Sequence, residues 1–117
     1  MIEDLVVKVF NDRSAAHLFH WGSDSYSEHM ALGSFYDDII EQVDKIVEIF
    51  QGKNGKIKVK FVLEPFAPDS IKQLRKTADW IAANKALIVK GCGAVANELD
   101  TLEGIYLQTL YKLENLS

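Results

Sequence analysis

Three histidines and a run of carboxylates carry the chemistry this sequence could do. His17, His20 and His29 fall within thirteen residues, and Asp37, Glu41, Asp44 and Glu48 follow at steps of four, three and four. On a helix those steps put the four carboxylates in one stripe, and the step of three puts His17 and His20 on one side of their own helix. Imidazole nitrogens and carboxylate oxygens together suit divalent iron, manganese or zinc, and helical bundles hold such ions between facing helices. The plain alternative is a solvated acidic face beside histidines that cap or pack. Spacing alone leaves these three histidines and four carboxylates as the candidate metal ligands.

Helices must position these groups. Leu5, Val9, Ala16 and Phe19 return to one side at helical spacing, which predicts a first helix over about Glu3–Trp21, with Asn11-Asp12-Arg13-Ser14 as a weak middle where it could break. Gly22-Ser23-Asp24 stops it. Ser25-Tyr26-Ser27-Glu28 then has the form of a capping box opening a second helix at about Tyr26. Leu32, Tyr36, Ile39, Val43, Ile46 and Phe50 give that helix its apolar stripe as far as Gly52. Ser70-Ile71-Lys72-Gln73 reads as a second capping box, starting a third helix to about Ala86. After Gly91-Cys92-Gly93, Val95, Leu99, Leu102, Tyr106, Leu110 and Leu113 define a fourth.

Between the two helical pairs the period changes. Lys56, Lys58 and Lys60 alternate with Ile57, Val59 and Phe61, the period of an extended segment, and Pro65 and Pro68 keep helix from forming before Ser70. A connection this long can run the length of a bundle, whereas the short turns on either side make sequential helices antiparallel. The expected architecture is an all-α four-helix bundle, one domain over residues 1–117, with its long connection between helices two and three.

Composition narrows the classes of function. A net charge of −4 on 117 residues gives no general attraction to nucleic acid, and Lys53, Lys56, Lys58 and Lys60 form only a small basic patch, so DNA is a minor expectation. No stretch approaches a membrane span, and the acidic start does not read as a secretory signal, so a cytoplasmic protein without membrane contact is expected. A single cysteine, Cys92, excludes an internal disulfide and suits a reducing compartment. Phosphate-binding glycine loops, dinucleotide fingerprints and nucleophile elbows are absent. Trp21 and Trp80 are expected to be interface or core residues, with core packing favoured over ligand stacking.

The segment Ala16-His17-Leu18-Phe19-His20-Trp21 resembles the His-Trp end of the first helix in Dps-like proteins, a branch of the ferritin-like superfamily. His29, with Asp44 fifteen and Glu48 nineteen residues later, resembles that family's second-helix pattern, and Gln108–Leu116 is similar to the end of its fourth helix. The resemblance implies a ferritin-like bundle that assembles into dimers or a hollow cage. It also implies an intersubunit iron site with ferroxidase or oxidative-stress protection activity, in which one subunit supplies His20, Asp44 and Glu48 and its two-fold partner supplies His29. The sequence departs from the family at Gly33, where an acidic ligand is usual, and in the short His20–His29 spacing. Those departures favour a second expectation, a non-catalytic helical scaffold or adaptor that keeps the bundle.

Overall fold

The computed structural model describes residues 1–117 as four α-helices: α1 (Ile2–Gly22), α2 (Tyr26–Asn54), α3 (Ser70–Val89) and α4 (Gly93–Asn115). Ring order around the bundle is α1, α2, α4, α3, with α1 diagonal to α4 and α2 diagonal to α3. Every neighbouring pair runs antiparallel. His17 stacks on Tyr36, Phe35 meets Tyr106, Arg75 pairs with Glu114 while Lys85 pairs with Glu103, and Lys8 lies over Trp80 while Asp12 reaches Gln73. This up-down-down-up order requires the chain to return along the bundle between α2 and α3. Ser70 Oγ accordingly donates to Glu28, joining the start of α3 to the start of α2.

Periodic apolar residues build the core as expected. Leu5, Leu32, Ile39, Ile46, Ile81, Val95, Leu99, Leu102 and Tyr106 are fully buried in one cluster shared by all four helices. Removing such side chains from water is the main drive for assembly, roughly 1.5–3 kcal/mol for each large apolar residue. Trp21 is 68% exposed and so outside the core, while Trp80 packs at the core margin under the Lys8 ammonium.

Two local readings of the sequence are corrected. The first helix does not break at Asn11-Asp12; both side chains are buried with partners, and Asn11 also donates back to the Val7 carbonyl one turn earlier while the helix continues. The third helix is capped by Asp69, whose carboxylate accepts from the Lys72 N–H, and not by Ser70. Ser70 and Gln73 are free for tertiary bonds as a result. Ser25 does cap α2 through the Glu28 N–H, but the Glu28 carboxylate goes to Ser70, so only half of the expected box forms.

Residues 55–67 contain no helix, turn or strand ladder, which agrees with the extended reading. Asn11 ties this crossover to α1: its Nδ2 donates to the Val62 carbonyl, and its Oδ1 accepts from the Glu64 N–H. Gln73 ties it to α3 by accepting from the Ala67 N–H. At the far end, Lys90 in the left-handed conformation (φ 49°) and Gly91 (φ 73°) make the turn into α4.

Candidate functional site

The α1–α2 corner gathers all three histidines. Each of His20 and His29 places its Nδ1 on the other's main-chain carbonyl oxygen, at 2.5 and 2.9 Å, and the two rings stack at 3.7 Å between centroids with 16° between planes. A carbonyl only accepts, so Nδ1 is the donor in both rings. His17, one turn before His20, lies at 4.2 Å on Tyr36 and at 4.4 Å on Trp21. The result is a layered aromatic corner that closes the three-residue link between α1 and α2.

Gly33 makes this corner possible. A Cβ at that position would stand 3.1 Å from His20 Cε1 and 3.3 Å from Nδ1, so the imidazole rests directly on the α2 backbone. The residue that departs from the Dps-like pattern is therefore the floor of the His20 site. A carboxylate side chain there would displace the ring it was meant to join.

Asp44 and Glu48 lie elsewhere. Both are exposed on α2, and because His20 rests on Gly33, Asp44 is eleven residues farther along the helix, a rise of about 16 Å. The four ligand candidates thus divide into two places within one chain: the histidines at the corner, the carboxylates beyond mid-helix. The histidine, cysteine and carboxylate side chains form no group of three able to hold one ion. The two stacked ring planes are nearly parallel, with centroids 3.7 Å apart, so one ion could not lie in both planes. The donor set of a single chain does not fit an iron ion.

A second polar cluster went unnoticed in the sequence. Asp12 is 1% exposed and sits where three helices meet: Tyr106 of α4 donates to Oδ2 and Gln73 of α3 donates to Oδ1. Burial raises the Asp12 carboxyl above its ordinary range, opposed by the neighbouring Thr77, Tyr106 and Gln73 donors and the Lys8 charge. Burial, with the adjoining Asp12 charge, also pushes the Tyr106 phenol well up. A polar cavity of about 130 Å³ adjoins the cluster, lined by Lys8, Asn11, Glu64, Gln73 and Lys76 among others. The available signal was an aspartate on the apolar side of α1, one residue after an asparagine, matched by a tyrosine within the α4 stripe.

The chain matches a family described only as of unknown function, DUF5856, over residues 20–113. It belongs to the DUF5856 family. That match opens at His20 and takes in His29, Gly33, the crossover, α3 and nearly all of α4, whereas Asn11, Asp12 and His17 precede it. No curated protein and no solved structure matches this DUF5856 chain. No helix in it is long and apolar enough to cross a membrane.

Proposed function

We propose that this DUF5856 protein is a non-catalytic helical scaffold, a bundle whose reactive side chains serve its own architecture and whose surface binds other protein. The reciprocal His20–His29 latch carries this reading. Both imidazoles are engaged with main chain and with one another on the Gly33 floor, away from the acidic pair. Asp12, the buried carboxylate, is held by donors from α3 and α4. Binding surface is available: Phe10, Tyr36, Ile40 and Phe61 line an open cleft of about 430 Å³ between α1 and α2, with Arg13 and Asp37 at its sides.

Thermal melting with and without iron(II), manganese(II) or zinc(II) tests the scaffold reading, because a ligand raises the stability of the state it binds. The expected result is no metal-dependent shift. A rise in Tm that disappears in His20→Ala and Asp44→Ala would overturn it.

A second reading is Dps-like iron handling across a homodimer, and the histidine tautomers are what favour it. Metal-ligating histidines commonly give one ring N–H to a carbonyl and bind through the other nitrogen, as Nε2 of His20 or His29 could. Asp44 and Glu48 form no ion pair within the chain, and a two-fold pairing of α2 helices would bring one protomer's corner toward the other's acidic pair. Bound iron would supply redox chemistry there. Anaerobic iron(II) followed by peroxide, monitored by absorbance, should then separate the natural protein from the His20→Ala/Asp44→Ala double variant; superimposable traces reject this reading.

A further inference from the structure

Where the crossover lies along the α1–α2 seam, it leaves an apolar space unfilled. Val6 and Phe10 of α1, Val43 and Val47 of α2, and Ile57 and Val59 of the crossover line a pocket of about 190 Å³. The only polar side chains around it are Asp44 and Glu48. Val6 and Val43 belong to the buried core, and Val47 and Ile57 pack against it, so the pocket reaches the apolar interior. The Ile57 N–H donates to Gln51 Oε1, which fastens this part of the crossover to α2. Asp44 and Glu48 are exposed one helical turn apart, and no lysine, arginine or histidine lies within ion-pair distance of either. Lys58 and Lys60 alternate with Ile57 and Val59, so their side chains leave the opposite face of the extended chain.

We propose that this pocket binds a small amphiphilic amine, its apolar body inserted among the aliphatic side chains and its ammonium group held at the mouth by Asp44 and Glu48. The size suits such a molecule, since an apolar cavity of about 150 Å³ takes up benzene. The composition suits it too, because small-molecule sites combine an apolar lining with a few polar groups that fix orientation. Water is a poor occupant of the apolar depth, where the side chains offer it no hydrogen bonds. The two carboxylates decide the sign of the ligand. They have no cation of their own, they repel a fatty acid or a phosphate-bearing molecule, and a neutral molecule of equal shape leaves them no better paired than before. The assignment gives Asp44 and Glu48 a use within one chain, with no contribution from a partner's histidines. It stands on the pocket alone and is separate from the scaffold reading, which neither requires nor forbids a bound small molecule.

Methyl NMR of the full chain, titrated with hexylamine, 1-hexanol and hexanoate, tests the proposal. Shifts are expected at the methyl groups of Val6, Val43, Val47 and Ile57, with hexylamine bound about three- to tenfold more tightly than hexanol and hexanoate the weakest. Butylamine should bind about tenfold more weakly than hexylamine, since each buried methylene is worth roughly fourfold in affinity. The Asp44→Asn/Glu48→Gln variant, changed only at exposed positions, should keep its affinity for hexanol and lose the preference for the amine. Added salt should erode the same preference in the natural chain. Val47→Phe fills the pocket and should abolish binding of all the probes, with its melting curve as the folding control; Val59→Phe does the same from the crossover side should Val47→Phe fail to fold. The absence of shifts at these methyl groups with millimolar hexylamine overturns the site. Equal affinity for amine and alcohol, or a preference that survives loss of both carboxylates, overturns the assignment of a cationic ligand.

Discussion

Tyr106 of α4 donates its hydroxyl to Asp12 of α1 across the bundle diagonal, between two helices that share no packed seam. Among the helices, α1 otherwise packs along α2 and α3. Removing the hydroxyl with Tyr106→Phe keeps the apolar volume but leaves the carboxylate one donor short. The expected cost is about 1–3 kcal/mol, the range for an unsatisfied buried polar group, read as a lower midpoint in urea at unchanged slope.

The same carboxyl makes stability depend on pH. Its folded value lies above the unfolded one, so between the two the native state binds more protons than the unfolded chain. Asp12 therefore favours folding most below its unfolded pKa, and that advantage is lost as pH rises through the folded value. Asp12→Asn should flatten this part of the stability–pH curve, and the comparison by chemical denaturation at a series of acidic pH values is the check. A natural protein whose stability rises more steeply with pH than the variant's would contradict this sign.

Gly33 and His20 should be coupled. Gly→Ala within a helix ordinarily gains about 1 kcal/mol, but here the new methyl would press on an imidazole held by stacking and by a main-chain bond. Gly33→Ala should consequently stabilise the His20→Ala variant more than it stabilises the natural chain. A double-mutant cycle measures the difference, and additivity within about 0.3 kcal/mol would mean the ring yields freely.

Asn11 fastens the crossover by bonds that no other side chain makes. Asn11→Leu, of similar size, removes both bonds to the extended segment and should release the Glu64 amide to fast hydrogen exchange. Global stability should fall by about 1–3 kcal/mol. Continued protection of Glu64 in the variant would assign the anchoring to packing instead.

The helices, the extended connection and the order of the bundle could be read from sequence because each rests on a repeating signal: apolar steps of three and four, a stretch of period two, and glycine at the turns. The polar architecture could not. Asn11-Asp12 resembles a break to any local rule, and only Val62, Glu64, Gln73 and Tyr106, all distant in the chain, make those side chains buried anchors. Ser70 resembled a cap because Asp69, one residue earlier, serves that end equally well and holds the position. The histidines were seen as a cluster, but their use was not. Spacing predicts which groups share a face, while the stacking of His20 on His29 depends on how closely α1 and α2 approach over a residue without a side chain.

The antiparallel order has a mechanical consequence. Met1 lies beside the α2–α3 end near Asn54 and Lys90, whereas Glu114 meets Arg75 at the start of α3, so the two termini leave from opposite ends of a body 44 Å long. Tension applied through both termini would load the helices along their axes, where the buried seams must slide past one another together instead of peeling open in sequence.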